Sequence, residues 1–133
     1  AREGASDPDG VLREMRPVSL SGLRVAEIPA GGKVFRSETE WNKFWSQCSS
    51  QPAPKIDFEK FTLVAVFVGQ KPNPGYSIRI VEAREYRDKV VVQALETGPR
   101  PGLLYPQVIV YPHDAVLIPA TDKQIEVTFL QGE

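Results

Sequence analysis

The chain is poor in the side chains that catalytic and metal sites most often use, because its 133 residues contain one cysteine, Cys48, and one histidine, His113. Zinc needs three or four His, Cys or carboxylate ligands, and nucleophilic catalysis needs a histidine beside an exposed nucleophile. Cys48 instead falls on the apolar stripe of a predicted helix, and His113 lies in a turn-like segment. We therefore predict no enzyme activity, no catalytic residues, no metal site and no cofactor.

Carboxylates are plentiful, but nothing in the sequence pairs them. Glycoside hydrolysis needs two opposed carboxylates, and with 17 acidic residues some meet by chance. The acids considered for such a pair are Asp57, Glu82, Glu96 and Asp114. We assign none of them a role in catalysis.

The chain also lacks an excess of either charge and lacks a long apolar run. Its 16 basic and 17 acidic side chains give a net charge of −1, whereas nucleic-acid binding favours a basic excess. We predict no nucleic-acid partner. The longest apolar run, "LVAVFV", is far shorter than the ~20 residues of a membrane helix. The first residue is Ala1, which fits either an artificial boundary or a mature terminus left after signal removal.

The helical period appears once, in "SETEWNKFWSQC". Ser37 with Glu40 three residues later is the capping-box pattern of a helix start. Four apolar residues follow at i, i+3, i+4 and i+7, which predicts one buried stripe. The stripe consists of Trp41, Phe44, Trp45 and Cys48. We interpret the two tryptophans as a seal between helix and sheet, with a ligand platform as the alternative.

The remaining pattern is mostly β. Residues 62–68 form an apolar run of strand length, as expected for a strand buried on both faces, and the segments "YSIRIVEAREY" and "KVVVQALE" resemble a hairpin. We predict a mobile arm over 1–16 and a single domain over 17–133. The predicted fold is mainly β (α+β), an antiparallel β-sandwich or rolled sheet of about seven strands with one packed helix. Its predicted core is Trp41, Phe44, Trp45, Val64, Val66, Ile78, Ile80, Val91, Ile109 and Val127.

The connection "GQKPNPGYSIRI", residues 69–80, contains an unusual density of turn residues. Pro72 and Pro74 fix φ, and Gly75 is able to adopt a positive φ. A loop of this stiffness loses little entropy when a partner holds it. It serves equally well as a tight corner between two core strands, and the residues alone leave both alternatives open.

The stretch "DFEKFTLVAVFVGQKPNPGYSIRI" resembles the PrcB C-terminal domain family, in which "DF", an apolar strand, "G", "P" and "GYSI" follow one another. The "SETEWNKFW" helix and the later "YPHDAVLIP" strand are also similar to that family, so the resemblance spans about residues 33–120. It implies a non-catalytic interaction domain of a secreted, periplasmic or envelope protein of bacteria. The family takes its name from an envelope lipoprotein that associates with a subtilisin-like protease and supports its maturation or stability. No lipid-attachment cysteine stands at the start of this chain, so we expect membrane contact only through an anchor that the chain as given lacks.

A second resemblance concerns loops. "NPGY" is similar to the "NPTTGY" loop of chagasin-like protease inhibitors, and "GPRPG" at 98–102 is similar to their later Arg–Pro loop, although the two threonines are missing. The resemblance implies direct protease inhibition as the alternative function. Under either reading the expected partner is another protein, with a protease as the candidate. The predicted contact residues are Lys71, Pro72, Asn73, Pro74, Gly75 and Tyr76, with Arg100 and Tyr105 in a neighbouring loop.

Overall fold

A computed structural model describes residues 10–132 and shows two four-stranded β-sheets with one α-helix. The strands are β1 (Val11–Leu12), β2 (Arg16–Pro17), β3 (Gly31–Phe35), β4 (Phe61–Phe67), β5 (Ser77–Glu85), β6 (Lys89–Thr97), β7 (His113–Pro119) and β8 (Gln124–Gln131). The sheets have the strand orders β1-β5-β6-β8 and β2-β7-β4-β3, and all pairs are antiparallel except β6–β8. This confirms the predicted mainly-β sandwich, with eight strands in place of about seven. The α-helix, α1, spans Glu38–Cys48, and a 3-10 helix spans Val25–Glu27.

The core consists of two layers that share strand β4. Alternate side chains of a strand point to opposite faces, so Val64 and Val66 pack between the two sheets, while Leu63, Ala65 and Phe67 pack under α1. All five are buried. The prediction of a strand buried on both faces is confirmed, because one sheet covers β4 on one side and the helix covers it on the other.

Helix α1 begins where the sequence predicts. The Ser37 side chain accepts a hydrogen bond from the Glu40 N–H at 3.2 Å, and the Glu40 carboxylate accepts one from the Arg36 N–H at 3.0 Å. One N–H of the first helical turn is thereby satisfied by the cap side chain, and the Glu40 carboxylate binds the backbone just before the cap. Trp41 and Trp45 are 1% and 2% exposed, so they form the seal between helix and sheet and leave no ring face free for a ligand.

Four residues of the predicted core lie elsewhere or are only partly buried. Phe44 is partly buried and packs against the apolar cluster under α1. Val91 is half-buried on the outer face of β6, because Val90 and Val92 point into the core. Ile109 is 53% exposed, since it lies outside the strands and only the neighbouring Val110 forms a bridge, to Lys71. Val127 is partly buried and packs against the core between the sheets.

The N-terminal prediction concerns residues that are only partly described. Residues 1–9 of the predicted arm lie outside the described residues. Its remaining part joins both sheets, because Val11 and Leu12 pair with β5 and Arg16 pairs with β7. The first strands therefore begin inside the range that was predicted as an arm.

A charged cluster joins three chain segments at the end of the sandwich that holds the β5–β6 turn. Glu85 accepts hydrogen bonds from Arg13 and Lys123, each at 2.6 Å, and Lys123 also donates to the Tyr86 carbonyl at 2.8 Å. The hydrogen bonds from Lys123 and Arg13 hold the pKa of the Glu85 carboxyl below its ordinary value of 4.5. Ionised Glu85 therefore ties the start of the chain and the β7–β8 loop to the end of β5.

Glu85→Gln is expected to lower the free energy of unfolding at pH 7 by up to ~1 kcal/mol, the usual range for a partly exposed ion pair. A carboxyl with a lowered folded-state pKa contributes its stability above 4.5 and loses it as the pH falls through the lowered pKa. Denaturant titration should therefore show a difference in unfolding free energy between the wild type and this variant at pH 7, and this difference should shrink as the pH falls below 4.5. The exposed Glu14→Gln is the matched control, and a gap that persists unchanged in acid would contradict the role of Glu85.

Candidate functional site

The two chain segments with the predicted contact residues meet at one end of the sandwich, opposite the β5–β6 turn. We call residues 69–76 and 98–112 together the loop cluster. Its two segments are joined by a pair of backbone hydrogen bonds, in which the Lys71 N–H donates to the Val110 carbonyl at 2.8 Å and the Val110 N–H donates to the Lys71 carbonyl at 2.9 Å. The cluster is thus a connected surface in which each loop holds the other.

The "PNPG" turn is closed by its own asparagine. The Asn73 side-chain oxygen accepts a hydrogen bond from the Gly75 N–H at 2.8 Å, and the Tyr76 N–H faces the Asn73 carbonyl at 3.4 Å. Such an asparagine turn replaces backbone bonding with a local side-chain bond. The two prolines add fixed φ angles on either side of Asn73, so the turn is stiff without help from a regular strand.

Gly75 lies where a larger side chain would collide with the second loop. Its φ is not positive, whereas Gly69 at the start of the loop has φ +81°. A Cβ at position 75 would lie 3.0 Å from the Cα of Pro99 and 2.9 Å from the Asn73 side-chain oxygen. The glycine therefore allows the first loop to touch the second, which places the "NPGY" and "GPRPG" segments side by side.

Lys71 fastens the first loop to the sheet. Its ammonium lies 3.3 Å from a carboxylate oxygen of Glu96 in β6 and 5.4 Å from the centre of the Tyr76 ring. The other oxygen of Glu96 accepts a hydrogen bond from Gln131 at 3.2 Å. Lys71 is only partly exposed, so this residue supports the loop more than it displays a free charge.

The second segment begins with a tight turn. Pro101 and Gly102 occupy its centre, Gly102 has φ +84°, and the Leu103 N–H donates to the Arg100 carbonyl at 3.3 Å. Proline followed by a glycine with positive φ is the signature of a type II turn. The Tyr105 hydroxyl accepts a hydrogen bond from the Arg100 N–H at 3.0 Å, which folds the chain back on itself and leaves the Arg100 side chain exposed.

An exposed apolar strip follows this turn. Leu104 is 99% exposed, and Leu103, Val108 and Ile109 are each between 52% and 54% exposed. Among the described residues, seven large apolar side chains are exposed, and four of them lie in these seven consecutive positions. Leu103, Leu104, Val108 and Ile109 are not among the contact residues predicted from the sequence. The signal was the pair "LL" between a proline–glycine turn and "YP", which places apolar residues where no strand can bury them.

Two open clefts flank the contact between the loops. One, of about 420 Å³, lies between the loops and is lined by Pro74, Gly75, Ser77, Thr97, Gly98, Arg100 and Tyr105. The other, of about 640 Å³, extends from the 3-10 helix to the segment before β7. It is lined mainly by apolar and aromatic side chains, including Val25, Tyr76, Ile109 and Tyr111. Both clefts are open to solvent, which suits the side chains of a docking protein better than an enclosed small molecule.

The groups considered for catalysis are held by local partners. Asp114 accepts hydrogen bonds from the Ile80 and Ala115 N–H groups at 2.8 and 2.9 Å, which ties β7 to β5 across the sandwich. Glu82 pairs with Arg84, and Asp57 accepts from the Glu59 N–H at 3.1 Å. Within residues 10–132, no three His, Cys, Asp or Glu side chains are grouped so as to hold a metal ion.

The side chains of the single histidine and the single cysteine contact neighbouring parts of the fold. The imidazole of His113 lies 2.8 Å from the Tyr111 carbonyl through Nδ1 and stacks on Phe67. Cys48 is partly buried at the end of α1 and packs against the apolar cluster under the helix.

Gly75→Ala is expected to disturb the loop cluster, because the added methyl group would need Pro99 or Asn73 to move. We expect a loss of about 1–2 kcal/mol of unfolding free energy, typical of forced overpacking. Amide chemical shifts should change across residues 98–105 as well as in the mutated loop. Gly98→Ala is the control, because a Cβ there would meet the Tyr76 ring at an ordinary 3.7 Å. Equal unfolding free energies and equal chemical-shift changes for the two variants would contradict a tight contact between the loops.

The architecture defines a class: a β-sandwich with one packed helix that presents a stiff loop cluster and an exposed apolar strip at one end. Residues 62–119, which run from β4 through β7, match the PrcB C-terminal family. The predicted resemblance is confirmed there, and the match contains the whole loop cluster. The match does not extend to α1, which the predicted resemblance included.

No curated protein and no solved structure matches the chain. No helix within residues 10–132 has the length and apolar character needed to cross a bilayer.

Proposed function

We propose that this chain is a non-catalytic protein-binding domain of an exported or envelope protein, and that its loop cluster contacts the partner. The observation that carries the proposal is the exposed strip of Leu103, Leu104, Val108 and Ile109 on a stiff scaffold. Clustered exposed apolar side chains cost free energy in water and mark interaction sites in soluble proteins. The predicted contact residues lie around this strip in the same loop cluster.

The rigidity of the cluster supports a binding role. A loop that is already held in its bound shape loses less entropy when a partner docks. Here the Lys71–Val110 bridge, the Asn73 turn and the Arg100–Tyr105 hydrogen bond each restrict one part of the surface. Apolar side chains on a pre-organised backbone are the arrangement expected of anchor residues at an interface.

We propose a subtilisin-like protease as the partner, which the domain stabilises or helps to mature. The match of residues 62–119 to the PrcB C-terminal family supports this choice, because that resemblance implies association with a subtilisin-like protease. The same reasoning supports export to the periplasm, envelope or medium. Fractionation of the native host should recover the protein outside the cytoplasm, and exclusive recovery in the cytoplasm would contradict the proposal of export.

Direct protease inhibition is the second candidate, and one contact favours it. Gly75 in "NPGY" lies against Pro99 in "GPRPG", so the two loops that resemble those of chagasin-like inhibitors are in fact adjacent. A pair of neighbouring loops at one end of a sandwich can enter a substrate cleft together. The inhibitor proposal therefore uses the same surface and differs only in where on the protease it docks.

Titration against a purified subtilisin-like protease separates these proposals. Calorimetry reports the complex, a peptide substrate reports residual activity, and incubation at the working temperature reports the lifetime of the protease. A stabilising domain forms a complex, leaves activity intact and extends the lifetime. An inhibitor abolishes activity at one equivalent. Absence of any complex up to about 100 µM, where even a weak interface is populated, would contradict both.

A further inference from the structure

The four sheet edges of this sandwich differ sharply in length. Strands β1 and β2 contribute two residues each, and β3 contributes five. Strand β8 is an edge strand of eight residues, Gln124–Gln131, paired on one side only, with β6. Short edge strands are a common protection against strand addition. Strands β1 and β2 are this short, whereas β8 is the longest of the four edge strands.

The register identifies the backbone groups on the free side of β8. Gln131 is the Cα partner of Glu96, and the Gly132 N–H donates to the Glu96 carbonyl at 2.7 Å. In a parallel ladder, alternate residues of a strand direct both their N–H and C=O groups to the same neighbour. Even-numbered residues of β8 therefore bond to β6. The N–H and C=O groups of Ile125, Val127, Phe129 and Gln131 point away from the sheet, and no described residue pairs with them.

Strand β8 also carries few of the usual blocking features. Its sequence, "QIEVTFLQ", contains no proline, lysine or glycine, and its pairing with β6 runs through eight consecutive partners without a bulge. Its one charged side chain, Glu126, is neutralised by Lys89 at 3.1 Å within the same chain. A second strand would therefore meet neither a kink nor an unpaired charge at this edge.

The inner face at this edge is incompletely covered. Ile125, Val127 and Phe129 pair with Val90, Val92 and Ala94, whose side chains point between the sheets. Ile125 and Val127 pack against that core, but Phe129 remains 37% exposed. The Phe129 side chain lies at the rim of the sandwich. It would be buried further only by a chain segment that lies beside β8.

We propose that β8 is the interface between two copies of this chain, which pair antiparallel across a two-fold axis to form one continuous eight-stranded sheet. A two-fold axis beside Thr128 places Val127 opposite Phe129 of the second copy, and Ile125 opposite Gln131 of the second copy. All the residues on the free edge then exchange backbone hydrogen bonds, about eight in total. Each Phe129 ring packs on a neighbouring valine of the other copy, a favourable cross-strand pair.

Self-pairing fits this edge better than a foreign strand, because the edge is complementary to itself. The same odd-numbered residues supply donors and acceptors in both copies, as an isologous interface requires. The loop cluster follows the C-terminal end of β6, which lies beside the C-terminal end of β8. Antiparallel pairing therefore directs the two loop clusters to opposite ends of the dimer and leaves both free.

Sedimentation velocity of the 133-residue chain from about 1 to 500 µM tests the proposal, because self-association follows mass action. We expect the mass to rise toward twice the 14.8 kDa of one chain. Phe129→Pro removes an N–H that does not bond to β6 and is tolerated at an edge, so it should fold and remain monomeric. Leu12→Lys on the far edge of the same sheet and Leu104→Glu in the loop cluster should both still dimerise.

Amide hydrogen exchange provides a readout without mutation. The amides of Ile125, Val127, Phe129 and Gln131 should become protected as the concentration of the wild type rises. A wild type that stays monomeric throughout the range would overturn the proposal, as would a dimer that persists in folded Phe129→Pro. A dimer that leaves these four amides unprotected would also overturn it.

Discussion

Trp41→Ala is expected to lower the free energy of unfolding by about 3–5 kcal/mol, the range found when a large buried aromatic side chain is deleted. Trp41 is 1% exposed and its ring lies 5.1 Å from that of Phe35 and 5.4 Å from that of Trp45. Its indole N–H also donates to the Pro54 carbonyl at 3.0 Å. The substitution therefore opens a cavity between α1 and β4 and leaves a carbonyl without its partner.

Chemical denaturation with fluorescence or circular dichroism measures this loss. Trp41→Phe separates the two contributions, because it keeps most of the packing and removes the hydrogen bond, and should lose about 1–2 kcal/mol. Lys43→Ala on the exposed face of the same helix is the control and should change the stability by less than ~0.5 kcal/mol. A loss below ~1 kcal/mol for Trp41→Ala would contradict its place as the main anchor of the helix.

Leu104→Glu is expected to weaken binding of the protease partner at least about 30-fold, which corresponds to ~2 kcal/mol, the threshold of an interface hot spot. The side chain is 99% exposed, so it makes no contribution to the core and its replacement should leave the thermal unfolding midpoint unchanged. At an interface, the same change would bury a carboxylate where an apolar contact was expected, which is costly without a partner charge.

Leu12→Glu is the matched control for this measurement. Leu12 is 58% exposed and pairs with Arg84 near the opposite end of β5, far from the loop cluster along the strands. Calorimetric titration of the protease should give wild-type affinity for this variant. Equal affinities for Leu104→Glu and Leu12→Glu, with both proteins folded, would remove the apolar strip from the interface.

Helix α1 and strand β4 were predictable because the signals that define them are local. The cap at Ser37 and the spacing of the two tryptophans fix the start and the buried face of the helix within twelve residues. The apolar run of residues 62–68 corresponds to Phe61–Phe67 within one residue at each end, since after Thr62 no polar position interrupts a strand that is covered on both faces.

The errors arise where the sequence pattern is degenerate. Val90, Val91 and Val92 are all apolar, so period-two alternation does not say which of them points inward, and Val91 was assigned to the wrong face. Ile109 was placed in the core because it is apolar, although a short apolar segment beside Pro112 has no partner strand. A short apolar segment has the same sequence pattern whether it forms an exposed strip or a buried strand. Only the arrangement of the strands in the sheets distinguishes the two outcomes.

The sheet order itself is a non-local property. Strands β6 and β8 pair in one sheet, whereas β7, which lies between them in the sequence, belongs to the other sheet. The chain therefore crosses to the second sheet and back, and no local residue pattern specifies this crossing. The contact between the two loops has the same origin, because Gly75 and Pro99 are brought together by the β5–β6 hairpin between them. Contact residues on both loops were predictable from the sequence, but the geometry of the surface that the two loops form was not.

Amide hydrogen exchange of this protein with and without a bound subtilisin-like protease tests the central claim most directly. Our account predicts slowed exchange in residues 69–76 and 98–112 on complex formation, with unchanged exchange in the β5–β6 turn and in β1. Protection confined to the β5–β6 turn end or to α1, with the loop cluster exchanging as fast as in the free protein, would contradict it.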